Sequence, residues 1–126
     1  MTPAEEIKQA ATRLRELATA AADNSGSSNW HTTRHFPDQP DSTFTSLWAT
    51  GVRPLLGGAG GRGRPPAYVK APVGDYIAAM DPAVGLALAD WLETTAAKLN
   101  HSTHPGWQDH VEPHALAVAR AINAQP

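Results

Sequence analysis

The sequence predicts an α+β fold, in which a small antiparallel β-sheet of two to four strands packs against three or so α-helices. Residues 1–23 and 75–124 carry apolar residues at helical spacing, whereas residues 29–71 are rich in aromatic and β-branched types. Because strands and helices are segregated along the chain, the pattern favours an antiparallel sheet over a βαβ arrangement. At 126 residues the chain is predicted to form one domain.

The first helix is predicted over residues 1–23. Pro3 suits a first helical turn, and Glu5 and Glu6 complement the positive end of the helix dipole. The apolar positions recur at spacings of three and four, as in an amphipathic surface helix: Ile7, Ala11, Leu14, Ala18 and Ala21. The polar run at residues 24–28 is expected to end the helix.

The middle segment is predicted to form strands. Residues 29–36 and 43–50 pair as an antiparallel hairpin across a turn at residues 37–41, and residues 67–71 supply a third short strand. Alternation along the first strand places Trp30, Thr32 and Arg34 on one face and His31 and Thr33 on the other. The largest side chains are expected in the core beneath the helices, namely Trp30, Phe36, Phe44 and Trp48.

The last third is predicted to be helical again. Asp81 caps a helix that begins at Pro82, after a shorter turn that contains Asp75 and Tyr76. The expected apolar stripe of this helix comprises Val84, Leu86, Leu88, Trp91, Leu92 and Leu99. A loop is expected over residues 100–109, followed by a final helix over residues 112–123 that buries Leu116, Ala119 and Ile122.

Composition excludes several classes of protein. Without cysteine, the chain has no disulfide, thiolate zinc site or cysteine nucleophile. The longest mostly apolar stretch, residues 83–89, is far short of the roughly 20 residues that a membrane helix needs. No signal peptide is expected, because Met1 leads into a charged run, and a cytoplasmic location follows. The net charge of −2 gives no overall attraction to nucleic acid.

The charge is nevertheless uneven along the chain. Residues 24–70 carry a net charge of +3 and five of the eight aromatic residues, whereas residues 71–126 carry −4. A basic face with aromatic stacking platforms is the pattern of nucleic-acid binding, which is an alternative function here. The cations that would carry it are Arg34, Arg53, Arg62, Arg64 and Lys70.

Six histidines raise the question of a metal site. His31 and His35 lie four residues apart on a predicted strand, which separates them by roughly 13 Å and prevents joint ligation of one ion. A denser group comprises His101, His104, His110 and His114. If Asp109 caps the last helix, His110 and His114 share one helix face; if the helix begins at Pro113, His110 lies outside it. The second arrangement is favoured, because proline at the fourth helical position would cost a hydrogen bond.

The glycine-rich loop at residues 57–66 has the wrong context for a phosphate-binding loop. It runs into Pro65 and Pro66, and no Gly-Lys-Ser/Thr follows. A flexible connector is the favoured interpretation, with contact to an anionic partner through Arg62 and Arg64 as the alternative. No serine lies in a Gly-x-Ser-x-Gly elbow, and no catalytic residue is predicted.

Two segments carry a resemblance to a known group of proteins. One is the run from Asp75 to Pro82, which matches the pattern Asp-x-x-Ile-Ala-x-x-x-Pro from Ile77 to Pro82. The other is the helix His114–Ala121, with the sequence His-Ala-Leu-Ala-Val-Ala-Arg-Ala. Together with Trp30 at the start of the β region, these segments resemble small actinobacterial and actinophage proteins, some of them similar to Ead-type phage accessory proteins. The resemblance implies an accessory role in a phage or mobile element and supplies no catalytic residue.

The expected function is therefore that of a non-enzymatic binding module, with no cofactor. Its contact residues are predicted to be Arg53, Arg62, Arg64 and Trp48, on a sheet-and-loop surface that the helices support. A protein partner is expected, and dimerisation through Leu86, Trp91 or Ile77 is an open alternative. The second hypothesis is a metal-binding protein or metal-dependent hydrolase that uses His101, His104, His110 and His114 as ligands.

Overall fold

A computed structural model describes residues 1–34, 44–57 and 67–126, and it confirms the α+β class. In the described ranges the helices are α1 (Pro3–Ser25), α2 (Ala71–Ala79), α3 (Pro82–Ser102), α4 (Gln108–Val111) and α5 (Pro113–Asn123), with a 3₁₀ turn at Pro105–Trp107. The strands are β1 (Trp30–Arg34), β2 (Phe44–Ala49), β3 (Arg53–Pro54) and β4 (Val69–Lys70). None of the helices in these ranges is long and apolar enough to cross a membrane.

The chain divides into two compact units. Unit 1 comprises residues 1–18 and 85–126, and unit 2 comprises residues 19–84. Helices α1 and α3 each contribute residues to both units. The prediction of one domain over residues 1–126 is not tested by this division and stays a prediction.

Unit 1 is helical, and small side chains form much of its core. Six of the ten residues in its buried apolar cluster are alanines, and the other four are Ile7, Leu92, Leu99 and Leu116. Helix α1 begins with a reciprocal cap, in which Glu5 N donates to Thr2 Oγ1 (3.2 Å) and Thr2 N donates to Glu5 Oε2 (3.0 Å). The predicted burial of Ile7, Ala11 and Ala18 on α1 is confirmed.

Ion pairs connect α1 to the other helices of unit 1. The Arg15 guanidinium contacts the carboxylates of Asp90 (2.7 Å) and Glu93, and hydrogen bonding to Asp90 raises its pKa above the ordinary value. Arg120 contacts Glu6 at 3.3 Å. Each pair has at least one side chain that is more than half exposed, so each is expected to contribute little to stability.

The predicted apolar stripe of α3 is only partly correct. Leu92 and Leu99 are buried, but Val84 and Trp91 are exposed. The face that is buried in unit 1 combines the two leucines with small residues, namely Gly85, Ala89 and Ala96. A Cβ at Gly85 would lie 3.1 Å from the Ala18 Cβ, which shows how closely α1 and α3 approach.

The end of the chain follows one prediction and departs from another. Helix α5 begins at Pro113, as expected, and buries Leu116 and Ala119. The loop expected over residues 100–109 is instead mostly helical, because α3 continues to Ser102 and a 3₁₀ turn leads directly into α4. Gln108, the first residue of α4, is buried.

Unit 2 contains the sheet. Strand β2 pairs antiparallel with β1, with Thr32 opposite Leu47, and this confirms the predicted hairpin. On its other side β2 pairs with β3 at one end and with β4 at the other, so that the predicted third strand is present as β4. Strand β3 was not predicted; it has only two residues, one of them Pro54. The predicted turn at 37–41 lies outside the described residues.

Helix α2 covers the inner face of this sheet, and close contact requires a glycine. A Cβ at Gly74 would lie 2.3 Å from Thr45 Cγ2 and 3.1 Å from Val69 Cγ1. Asp75 and Tyr76, predicted to lie in a short turn, belong to the nine-residue helix α2. Asp81 caps α3 as predicted, because its Oδ1 accepts a hydrogen bond from Val84 N (3.0 Å).

The prediction that the large aromatic residues form the core was wrong where it can be tested. The buried inner face of β2 consists of Thr45, Leu47 and Ala49. Phe44 is 43% exposed, and Trp30 and Trp48 are half-buried. Phe36, the fourth residue of that prediction, lies outside the described residues.

Candidate functional site

The outer face of the unit 2 sheet gathers aromatic side chains. Side chains alternate along a strand, so Phe44, Ser46 and Trp48 point away from the inner face that α2 covers. The β1–β2 register places His31 opposite Trp48 and Thr33 opposite Ser46. We call the surface made by His31, Thr33, Phe44, Trp48, Tyr68 and Lys70 the outer face.

Hydrogen bonds between side chains fix Trp48 within this surface. Trp48 Nε1 donates to Ser46 Oγ (3.0 Å), and Ser46 Oγ donates to the carbonyl oxygen of Thr33 (3.2 Å). Beside them, His31 Nδ1 lies 2.8 Å from Thr50 Oγ1. The indole N–H of Trp48 thus has a hydrogen-bond acceptor within the protein, and the ring remains half-exposed.

A second aromatic pair lies at the other end of β2. The rings of Phe44 and Tyr68 meet edge to face, with centroids 5.2 Å apart and an interplanar angle of 65°. Tyr68 is 52% exposed, so neither ring is covered by its partner. Lys70 is opposite Phe44 in the β2–β4 register, which places a cation at the edge of this aromatic pair.

Arg53, which the sequence predicts to contact a partner, is hydrogen-bonded to the C-terminal end of helix α1. Its Nη2 donates to the carbonyl oxygen of Asn24 (2.7 Å) and its Nε to that of Ser25 (3.3 Å). These are carbonyls of the last turn of α1, where a cation interacts favourably with the helix dipole. The next residue, Gly26, has φ +85°, a left-handed conformation that ends the helix.

We expect Arg53→Met to lower the free energy of unfolding by about 1 kcal/mol, because two carbonyls at the end of α1 lose their donors. Urea denaturation followed by circular dichroism measures the change. Lys70→Met removes an exposed cation from the same unit and should change stability by less than about 0.5 kcal/mol. If Arg53→Met left stability unchanged and abolished partner binding, Arg53 would be a contact residue, as the sequence predicted.

Of the other predicted cations, Arg34 forms an ion pair within the chain. Arg34 donates to Asp75 Oδ2 at 2.8 Å, which offsets its charge. Arg62 and Arg64 lie outside the described residues, as does the glycine-rich loop except for Gly57. Of the five cations that the nucleic-acid hypothesis names, Arg34 and Arg53 are thus engaged with groups of the protein itself.

Two of the four C-terminal histidines, His104 and His110, make local contacts. His104 Nδ1 accepts a hydrogen bond from Gly106 N (3.1 Å), and the His110 ring lies 5.8 Å from Trp107 and near Asp109. His101 lies in the last turn of α3 and His114 in α5. In residues 1–34, 44–57 and 67–126, no group of three or more histidine, aspartate or glutamate side chains is placed to hold a metal ion. The metal hypothesis stays a prediction that has no preformed site in these ranges.

Comparison with known proteins gives no family for this chain. No family model, curated protein or solved structure matches it.

The sequence predicts Trp48 as a contact residue but does not single out most of its neighbours on the outer face. Phe44 is expected in the core, Tyr68 has a role only under the nucleic-acid alternative, and His31 is given no role in binding. The signal that could have found them is the alternation itself, because His31, Thr33, Phe44 and Trp48 all occupy positions of one face. Alternation defines two faces, however, and does not say which of them a helix covers.

Proposed function

We propose that this chain is a non-enzymatic binding module that contacts a protein partner through the outer face of the unit 2 sheet. One observation carries the proposal: Phe44, Trp48 and Tyr68 are exposed or half-exposed on a single face, where they are held by ring and hydrogen-bond contacts. Aromatic residues with few rotatable bonds are enriched at protein interfaces, because they bury a large area at little entropic cost.

The chemistry of the outer face suggests what the partner presents. The aromatic side chains call for an apolar patch on the partner, and the polar groups of His31 and Thr33 lie next to them for hydrogen bonds. Lys70 is exposed beside Phe44, so an acidic side chain at that edge of the partner would be favoured. Nucleic acid is the less favoured ligand, since the guanidinium groups of Arg34 and Arg53 are hydrogen-bonded to Asp75 and to the Asn24 carbonyl of this chain.

Trp48→Ala is expected to weaken partner binding at least tenfold, because an indole at an interface centre commonly contributes more than about 1.4 kcal/mol. The test captures partners from a lysate of the native host and measures their affinity for each variant by biolayer interferometry. Trp91→Ala is the matched control, because Trp91 is a tryptophan that is 43% exposed but lies on α3 in unit 1. Circular dichroism of each variant establishes that it is folded.

A photocrosslinking residue at Thr33 maps the contact directly. We expect crosslinks from Thr33, on the outer face, and none from the same residue at Thr94, which is exposed on α3. Crosslinks from Thr94 but not Thr33, or equal binding by Trp48→Ala and Trp91→Ala, would contradict the proposed surface. Crosslinks from Thr33 to nucleic acid would instead support the second hypothesis.

The resemblance to Ead-type phage accessory proteins supports an accessory role for the module in a phage or mobile element. The identity of the crosslinked partner tests this part of the proposal. A phage protein, or a host protein recruited during infection, is the expected result. A partner that functions in cells free of phages and mobile elements would contradict the accessory role and leave the contact surface in place.

A further inference from the structure

Unit 2 contains an open pocket that the proposed contact surface does not use. Its volume is about 310 Å³, and it is formed by the last turns of α1, the inner face of β1 and β2, the segment after β3, and α2. The apolar residues that define its walls are Ala21, Trp30, Leu47, Leu55, Leu56 and Ile77. We propose that this pocket binds a small uncharged molecule with an aromatic or alicyclic skeleton of about two rings and one polar substituent.

The walls are preorganised by hydrogen bonds. Trp30 Nε1 donates to Ser25 Oγ (3.2 Å), and this hydroxyl, which is buried, donates in turn to the carbonyl oxygen of Ser27 (2.9 Å). Leu55 N donates to the carbonyl oxygen of Leu47 (2.8 Å), which holds one leucine wall against the sheet. A pocket whose walls are already ordered loses little entropy when a ligand enters.

The electrostatics of the pocket select an uncharged ligand. None of its eight lining residues is ionisable. A neighbouring cation, the Arg53 guanidinium, is hydrogen-bonded to the backbone carbonyls of Asn24 and Ser25 and is not part of the lining. A carboxylate or an ammonium group inside the pocket would therefore lose hydration without gaining a direct ion pair with a lining residue, which is costly. The Ser25 hydroxyl is already hydrogen-bonded to Trp30 and Ser27, so it does not require a hydrogen bond from the ligand.

One polar group is available at the mouth. Asn24 is exposed there, and its backbone carbonyl accepts the hydrogen bond from Arg53. Within the described part of the chain, no hydrogen bond engages the Asn24 side-chain amide. This amide can donate to or accept from a single hydroxyl or carbonyl group of the ligand.

The volume favours a small molecule over one side chain of a partner. A cavity of about 150 Å³ holds a single benzene ring, so a pocket of about 310 Å³ accommodates roughly two rings. A leucine or phenylalanine side chain would leave about half of it empty. This volume is also at the lower end of the range for ligand pockets.

The experiment titrates the ¹⁵N-labelled full chain with 2-naphthol and follows the indole Nε1–H signals of the four tryptophans by NMR. The Trp30 signal, assigned with Trp30→Phe, is expected to shift in a saturable manner, whereas those of Trp91 and Trp107 stay unchanged. We expect 2-naphthoate, which has the same rings and a carboxylate, to bind at least tenfold more weakly.

A matched pair of variants tests the location. Ala21→Phe adds a ring to the wall of the pocket and should weaken 2-naphthol binding at least tenfold. Ala20→Phe adds the same ring at the neighbouring exposed position of α1 and should leave binding unchanged. The comparison of 2-naphthol with 2-naphthoate on the unmodified chain keeps the test valid if Ala21→Phe does not fold.

Three results would overturn the proposal. They are a Trp30 signal that does not move up to the solubility limit of 2-naphthol, equal binding of the two naphthyl compounds, and equal affinity of Ala21→Phe and Ala20→Phe. A Trp30 signal that moves only when the protein partner is added would assign the pocket to a side chain of that partner, which also overturns it. Trp48→Ala should leave 2-naphthol binding intact, so this inference stands or fails separately from the proposed contact surface.

Discussion

Replacing Gln108 by alanine is expected to lower the free energy of unfolding by about 3 kcal/mol. Gln108 is 1% exposed and makes three hydrogen bonds through its side chain. Its Oε1 accepts from Ala4 N (3.0 Å), and its Nε2 donates to the carbonyl oxygens of Thr103 (3.2 Å) and Leu99 (3.4 Å). Helix ends leave backbone N–H and C=O groups without partners inside the helix. The Gln108 amide supplies partners for such groups at the start of α1 and at the end of α3.

The expected loss combines two costs. Each buried backbone group that loses its partner costs about 1–3 kcal/mol, and truncation to alanine leaves a cavity besides. Urea denaturation followed by circular dichroism measures the effect. Gln9→Ala is the control, because Gln9 is exposed on α1, and it should change stability by less than about 0.5 kcal/mol.

Gln108→Glu sharpens this test. The glutamate has nearly the same shape, but it places an oxygen opposite two carbonyl oxygens, so we expect a loss at least as large at neutral pH. If Gln108→Ala were no more destabilising than Gln9→Ala, the amide would not be the link between α1 and α3 that its hydrogen bonds indicate.

Gly74→Ala is expected to lower the free energy of unfolding by about 2 kcal/mol, although alanine is the better helix former. Helix propensity alone would stabilise α2 by about 1 kcal/mol. The added Cβ would lie 2.3 Å from Thr45 Cγ2, on a side chain with no exposed surface that cannot move away freely. Overpacking of a closed site costs typically 1–3 kcal/mol and outweighs the gain when a contact is this short.

A control and a rescue separate the two effects. Gly57→Ala adds a Cβ in open space and should leave stability within about 0.5 kcal/mol of the parent. Thr45→Ser removes the atom that the new Cβ meets, so the double variant with Gly74→Ala should recover part of the loss. Thermal unfolding measures the stability of the parent chain, the three single variants and the double variant. A stabilised Gly74→Ala variant would show that α2 is farther from the sheet than described.

Local signals in the sequence predicted much of the fold. The cap at Asp81, the helix start at Pro113 and the hairpin of β1 with β2 each follow from residues within a few positions of one another, and each is confirmed. Strand β3 was missed because two residues carry no alternation and Pro54 opposes a strand assignment. Its existence depends on pairing with β2, which is a tertiary contact.

The buried face of α3 was misjudged for a related reason. Hydrophobic periodicity gives most weight to large side chains, and it selected Val84 and Trp91, which are exposed. The buried positions on the same face of α3 as Leu92 are occupied by Gly85 and Ala89, whose small side chains add little to a hydrophobic pattern. A pattern that tracks small residues is therefore needed where helices approach closely.

The candidate site could be predicted only in fragments. Trp48 is both an expected core residue and a predicted contact residue, because the sequence pattern does not decide between the two faces of the sheet. The role of Arg53 depends on carbonyls of Asn24 and Ser25, which lie 28 or more residues away in the chain. Exposure of Phe44 depends on which face of the sheet α2 covers, and that in turn depends on the missing side chain at Gly74.

The alanine-rich centre of unit 1 makes this part of the molecule respond unequally to mutation. A residue such as Ala10 or Ala115 has only one methyl group to lose, and it is fully enclosed by its neighbours. Shortening such a position to glycine costs about 1 kcal/mol of helix propensity, whereas a larger side chain overpacks a closed site, which typically costs about 1–3 kcal/mol. Sequence drift within this bundle should therefore be confined to glycine, alanine and serine, while the leucine positions exchange among aliphatic types.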